Sequence, residues 1–380
     1  MLDHARPATA PLVERCEALF SDLNFEAARA WKAAAPGRKV IGFMPYYVPR
    51  EVIHAAGCLP LGVLGGGDQL EVIHGDAYYQ SYICRIPRST IELGVSGRLD
   101  FVDGMLFPSI CDVIRNLSGM WKLMFPNVGA RYVDLPQNFD DELGGKFYRS
   151  EINEMRHWLS EITGRPASDD ALRASIALFN ENRRLVREVY AYRARKPWNA
   201  PSAEDHNRML SDYLVAADSQ ERPLKDNSRI VLSGAFCEQP PLNLVKSIEL
   251  AGCYIVDDDF MLVNRWEKSD VAVEGDPVAN LAHAYLHNSN STSAKFEPNA
   301  KIKGQFLVDA VRASNAEGVI FAMPSFCDPA LLDRPMLQNA LKAANIPSIA
   351  FKYAENSGQM QPVREQAGTF ADSIKLWSAS

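Results

Sequence analysis

The sequence predicts an α/β protein built from two parallel-sheet units, and two observations carry that expectation. The pattern Pro-Ser-apolar-Cys-Asp occurs twice, as Pro108-Ser109-Ile110-Cys111-Asp112 and Pro324-Ser325-Phe326-Cys327-Asp328. Each copy follows an apolar run of strand character, Asp103 to Phe107 and Gly318 to Met323. Each precedes a plausible helix, Val113 to Phe125 and Pro329 to Ala343. The second observation is a longer echo around these motifs: strand, Pro-rich turn, helix closed by Ala-Gly-Cys, then another strand, in the same order in both halves. Strands alternating with helices in this way read as Rossmann- or flavodoxin-like parallel units.

Along the chain, residues 1–36 form an N-terminal helical segment, with Leu12 to Ala34 helical and Pro36-Gly37 ending it. The first α/β unit covers residues 37–145. Lys39 to Phe43 is its first strand, Pro49 to Ala56 a helix ended by Gly57, and Cys58 to Leu64 the next strand. A glycine after a helix suits the left-handed position that closes it. Residues 146–227 form the helical bridge. Glu151 to Ile162 reads as one helix, and Leu172, Ile176, Phe179, Val186 and Tyr190 recur at helical spacing in a second, capped by Ser168-Asp169-Asp170. Pro197 stops it, and Pro201 and Pro223 bracket a further helical stretch. The second α/β unit covers 228–380, with strands Arg229 to Leu232 and Cys253 to Val256 around helix Leu242 to Ala251.

Length and composition bound the function. At 380 residues more than one core is expected. An apolar share of 47%, a charged share of 23% and a net charge of −7 describe an ordinary globular protein, without the basic, aromatic-interleaved patch that nucleic acid requires. No run approaches membrane-spanning length, and the first residues lack a secretory pattern, so a cytoplasmic location is expected. Seven dispersed cysteines then read as thiols or metal ligands rather than a disulfide framework.

Cys111 and Cys327 fall where a strand hands over to a helix, beyond the carboxyl ends of parallel strands, which is where such sheets bind ligands. Free amides and the helix dipole there favour a thiolate. Two thiolates prepared alike in two halves of one chain suggest a shared metal site. Cys58 and Cys253 begin apolar strands and read as core thiols, and Cys16 as packing in the first helix. Cys84 and Cys237 remain as candidates for a third ligand, and spacing does not separate them; Arg85 and Arg88 would support a thiolate centre at Cys84. Three sulfurs from distant segments suit an iron–sulfur cluster better than a structural zinc site. His283 and His287 read as a solvated helix face, and Gly65-Gly66-Gly67 lacks the rest of a phosphate loop. Asp257-Asp258-Asp259 reads as a capping turn rather than a cation site. No P-loop occurs, so any ATP chemistry belongs to a partner.

Several segments carry a resemblance: His54-Ala55-Ala56-Gly57, Tyr82-Ile83-Cys84, Phe107 to Asp112, Phe326-Cys327-Asp328 and the stretch from Glu355 to Phe370. On these the chain resembles the 2-hydroxyacyl-CoA dehydratase and benzoyl-CoA reductase family over nearly its whole length. Gly66 to Asp76 and Lys352 to Gln361 draw it toward the smaller catalytic subunit on the reductase side of that family. The resemblance implies a [4Fe-4S] cluster held by Cys84, Cys111 and Cys327, with Cys237 outside the set. It also implies ferredoxin-dependent, ATP-driven reduction of the ring of benzoyl-CoA in anaerobic aromatic degradation. The implied partners are a larger homologous subunit, an ATPase activator with its own cluster, and ferredoxin. Where dehydratase relatives commonly carry a cysteine after the paired aspartates, this chain has Asp259-Phe260. The alternatives are a 2-hydroxyacyl-CoA dehydratase subunit and a non-catalytic, cluster-bearing scaffold or electron relay.

Overall fold

The computed structural model describes residues 8–199, 210–220, 222–234, 240–260, 265, 268–289, 303–354 and 360–378. Cys237 and residues 355–359 lie outside these. The first sheet has strands β1 (Lys39–Phe43), β2 (Cys58–Gly62), β3 (Gly104–Pro108) and β4 (Gly129–Val133) in the order β2-β1-β3-β4. The second has β5 (Ser228–Ser233), β6 (Cys253–Asp258), β7 (Gly318–Pro324) and β8 (Ser348–Tyr353) in the order β6-β5-β7-β8. Every pairing is parallel, so each unit is flavodoxin-like, as the repeated pattern predicts. β3 and β7 are fully buried and read as continuous apolar runs, as strands covered on both faces must.

Helices α1 (Ala10–Phe20) and α2 (Glu26–Ala33) replace the single N-terminal helix expected from Leu12 to Ala34. The break is local chemistry. The Asp22 carboxylate accepts from the amides of Asn24 (3.1 Å) and Glu26 (2.6 Å), and Phe25 takes a left-handed φ of 56°. Helix α3 (Arg50–Ala55) ends at Gly57 and, in the second unit, α9 (Leu242–Leu250) ends at Gly252. Both glycines have positive φ, 76° and 95°, which is why Ala-Gly-Cys recurs. The remaining helices of the first unit are α4 (Arg85–Val95) and α5 (Asp112–Met124). The bridge supplies α6 (Lys146–Thr163), α7 (Asp169–Arg195) and α8 (Leu210–Ser219). Helices α10 (Pro277–Asn288), α11 (Gln305–Ala313), α12 (Asp328–Ala343) and α13 (Met360–Ser378) complete the second half.

The two halves share a core. The largest apolar cluster joins Val40, Ile41, Met105 and Phe107 to Val319, Phe321, Met323 and Leu337. A second cluster lies on the far side of the second sheet, around Ile230, Ile255, Ile320 and Phe370. Helix α7 links the halves through two buried ion pairs. Its Arg183 binds Glu51 of α3 and its Arg193 binds Asp258 of β6 at 2.9 Å, with all four side chains at most 3% exposed. Asp258 also accepts from the Tyr190 hydroxyl at 2.7 Å and from the Phe260 amide at 3.0 Å, while Asp259 binds Arg265 at 2.6 Å. The acidic run Asp257-Asp258-Asp259 therefore anchors arginines, beyond the capping role its sequence suggests. His54 packs on α7 as well, its Nδ1 3.0 Å from Ser175 Oγ and its ring edge-on to Phe179.

Removing one partner of a buried pair strands the other charge in a low-dielectric interior, at a cost of about 3–5 kcal/mol. Arg193→Met is expected to lower the urea midpoint by a corresponding amount. Arg184→Ala, which breaks only exposed pairs on the same helix, is expected to leave it unchanged. Equal midpoints for both variants would show that α7 is not fastened through its buried charges.

Candidate metal centre

All three cysteines implied by the resemblance are the N-cap residues of helices: Cys84 of α4, Cys111 of α5 and Cys327 of α12. Cys111 and Cys327 follow β3 and β7, each next to the point where its sheet reverses strand order. The doubled motif explains itself locally. The Ser109 amide donates to Val133 O (2.9 Å), and Ser109 Oγ accepts from the Leu135 amide (2.7 Å). Ser325 donates through both its amide and its hydroxyl to Tyr353 O, at 2.8 Å each. Each serine thus ties its strand-to-helix turn to the end of the neighbouring strand. The following aspartates, Asp112 and Asp328, start their helices, where negative charge is favoured.

Cys327 lies within electrostatic reach of Cys111, and Cys84 and Cys111 both lie within reach of Tyr79. Burial pushes the Cys111 thiol up, and Cys327 and Asp112 add to the rise; the backbone amides of Ile114 and Val113 bind the sulfur and oppose it. Burial therefore outweighs the helix amides, contrary to a thiolate prepared by the helix terminus alone. Cys111 keeps its proton until a cation displaces it, as metal-ligand thiols do. The Tyr79 hydroxyl feels Cys84 and Cys111 together. Burial first, then both sulfurs, raise its pKa well above the ordinary tyrosine value, so it remains an O–H donor. That hydroxyl is buried with no hydrogen-bond partner among the described residues. An unmatched buried donor costs about 1–3 kcal/mol unless something accepts from it. Cysteine donors beside an orphaned O–H fit a sulfide-containing metal group. Nothing in the sequence marks Tyr79; its place beside Cys84 and Cys111 is visible only in the folded chain.

The segment leading to Cys84 is braced rather than loose. The buried Glu92 carboxylate accepts from the amides of Ile73, His74 and Gly75 at 2.9, 2.6 and 2.9 Å, and meets His74 Nδ1 at 2.9 Å. Burial works against its charge, but the His74 side chain and these amides outweigh it and hold the carboxyl below its ordinary value. Arg85 donates to Gly67 O (2.9 Å) and Leu70 O, and Arg88 to Asp76 at 2.8 Å. Both arginines therefore hold the 67–76 loop that precedes Cys84. Gly65-Gly66-Gly67 leads into one 3-10 turn, Gly67–Gln69, and not into a helix whose amides could cradle phosphate.

The other described cysteines are core thiols, as their sequence positions imply. Burial, with Asp103 adding, pushes Cys58 up to about 11. Burial, with Glu249 adding, pushes Cys253 up to about 12. Cys16 is buried in α1. Among the described residues no helix is long and apolar enough to cross a membrane.

Comparison with known proteins agrees with this architecture. The chain is 63% identical to the C-type subunit of benzoyl-CoA reductase from Thauera aromatica, across 98% of this chain and 100% of the relative. It is 26% identical to the (R)-phenyllactyl-CoA dehydratase beta subunit of Clostridium sporogenes, over 89% of this chain and 92% of that protein. It is 27% identical to the beta subunit of (R)-2-hydroxyglutaryl-CoA dehydratase from Acidaminococcus fermentans, over 90% and 94%. The family model for the 2-hydroxyglutaryl-CoA dehydratase D-component matches residues 45–374, which takes in strands β2 to β8 and all three N-cap cysteines, and the chain belongs to that family.

Proposed function

We propose that this chain is the iron–sulfur subunit of an ATP-dependent benzoyl-CoA reductase, which adds two electrons and two protons to the aromatic ring of a CoA thioester. The observation that carries the reading is its 63% identity, end to end, to a benzoyl-CoA reductase subunit. The three N-cap cysteines, with Tyr79 beside two of them, support a [4Fe-4S] cluster with ligands Cys84, Cys111 and Cys327 and one iron left open. When bound, such a cluster supplies single electrons at low potential.

The chain's own residues prepare the surroundings. The amides of Val113 and Ile114 and the dipole of α5 stabilise negative charge at the Cys111 sulfur. Tyr79 offers its O–H to a sulfur or to a ligand at the open iron. Ile110 and Cys327 are buried and Tyr79 is half-buried, an apolar surround that strengthens charge interactions beside it. Cys84 and Cys327 are flanked by exposed Tyr82 and Phe326, apolar surface that suits a larger homologous subunit with the rest of the CoA-ester pocket. The chain has no nucleotide motif, so ATP hydrolysis belongs to an activator with its own cluster, and ferredoxin is the electron donor. The dehydratase relatives make 2-hydroxyacyl-CoA dehydration the second reading. Electron counting separates the two. With the larger subunit, activator and ferredoxin present, a reductase consumes two electrons per benzoyl-CoA converted. Turnover of a 2-hydroxyacyl-CoA with only catalytic use of electrons would replace the reductase by a dehydratase.

For the ligand set, Cys84→Ser, Cys111→Ser and Cys327→Ser are each expected to lose cluster iron, while Cys58→Ser and Cys253→Ser retain it. Full iron in Cys327→Ser would rule out a site shared by the two halves. Cys237→Ser is expected to keep its iron, as a residue outside the ligand set that the resemblance implies.

For Tyr79, hydrogen bonds to cluster sulfurs raise the reduction potential. Tyr79→Phe is therefore expected to keep its iron and to titrate at a more negative potential. An unchanged potential would show that the hydroxyl does not reach the cluster.

A further inference from the structure

Far from the cysteines in sequence, three metal-binding side chains converge from two distant segments of the chain. Asp141 opens the π-helical turn Asp141–Gly145, which Asp140 caps by accepting from the amides of Glu142 and Leu143. His283 and His287 stand one turn apart on α10, their rings 4.3 Å from centroid to centroid. Asp141 Oδ1 lies 2.9 Å from His287 Nε2 and 3.9 Å from His283 Nδ1. The three ligand atoms all fall within 4.8 Å of one another.

The backbones that carry them are held by packing. The inner face of α10 buries Val278, Leu281, Ala282, Tyr285 and Leu286. The Tyr285 ring sits 4.8 Å from that of Tyr148, 5.2 Å from Phe139 and 5.5 Å from Tyr47, all outside the second sheet unit. At Gly145 an added Cβ would come within 3.3 Å of Leu286, so the turn and the helix are already in close approach. The histidines therefore face Asp141 because the core beneath them fixes α10, and only side-chain rotations separate the present arrangement from a coordinating one. Ligands at about 2.0–2.2 Å from a common metal stand roughly 3–3.5 Å apart; the Asp141–His287 pair already meets this at 2.9 Å, and His283, at 3.9 Å from Asp141, has to swing inward.

We propose that Asp141, His283 and His287 bind one divalent first-row transition cation, which fastens α10 to the turn that ends the first half of the chain. Two imidazoles and one carboxylate are the donor set of zinc, nickel and ferrous iron, and they are too nitrogen-rich for magnesium or calcium. The remaining coordination positions face solvent and take water. The cation replaces the hydrogen bond between His287 and Asp141 with a three-point tie between the two segments.

The test uses the full chain, purified anaerobically with its cysteine-bound metal in place, and Zn2+ as the probe in calorimetry and equilibrium dialysis. The native chain is expected to take up one equivalent more than His283→Ala/His287→Ala. Asp141→Asn is expected to bind at least about tenfold more weakly, since even outer partners of a metal site matter on that scale. Amide exchange in 141–145 and 277–288 is expected to slow with Zn2+ in the native chain only. Equal uptake by the native chain and the double variant would overturn the site, and uptake without slower exchange in those two segments would overturn the fastening. All three side chains are well exposed, so the variants are expected to fold as the native chain does.

Discussion

The structure depends on the hold that helix α7 keeps on both sheets through buried guanidinium–carboxylate pairs. Arg183 and Arg193 are ten residues apart on one helix, about 15 Å along its axis. One grips Glu51 in the first half and the other grips Asp258 in the second. Buried pairs of this kind add little net stability compared with apolar side chains, but they penalise every arrangement that separates the partners. A core shared between the halves supplies the bulk of the burial, and the pairs select which relative placement of the sheets is kept. The buried carboxylate of Glu92 does the same on a smaller scale, fixing the loop ahead of Cys84.

That placement matters because the candidate metal ligands come from different parts of the chain. At Cys111 the amides of its helix N-terminus are too weak an offset for burial, and its thiol stays raised. Helix amides alone do not make a thiolate there. Two halves held together bring Cys327 to Cys111, where like charges repel unless a cation lies between them. The serines of the duplicated motif fix each turn to its own sheet, so the geometry of the pair is transmitted from sheet to sheet through rigid elements. Tyr79 closes the set from a loop, with a hydroxyl that is unmatched until a sulfur or a ligand accepts from it.

Much of this was legible in the sequence because it is written locally. Parallel strands appear as apolar runs, and Gly57 and Gly252 mark helix ends because only that residue type takes their positive φ without strain. The repeat of Pro-Ser-x-Cys-Asp locates two strand-to-helix turns, and in both the helix starts at the aspartate. What was not legible depends on distant partners. Asp258 reads as a turn residue until Arg193, more than sixty residues earlier, is folded against it. Arg85 and Arg88 stand beside Cys84 in sequence, yet they turn to the preceding loop. The continuous helical pattern of Leu12 to Ala34 hides the break at Asp22, because side-chain capture of two amides competes with the helix without altering its periodicity. His283 and His287 look like any solvated helix face, since Asp141 approaches them from the other half of the chain.

The central claim is one cluster held jointly by the two halves, with an iron that the protein does not ligate. Mössbauer spectroscopy combined with iron and sulfide counting on the anaerobically purified chain, alone and with its larger partner, tests it most directly. The expected result is one [4Fe-4S] cluster per chain with a single iron distinct from the others, and a signal at that iron which changes when a CoA thioester is added. Iron-free protein whose cysteines all react as thiols, or a cluster with four equivalent irons that no substrate perturbs, would contradict it.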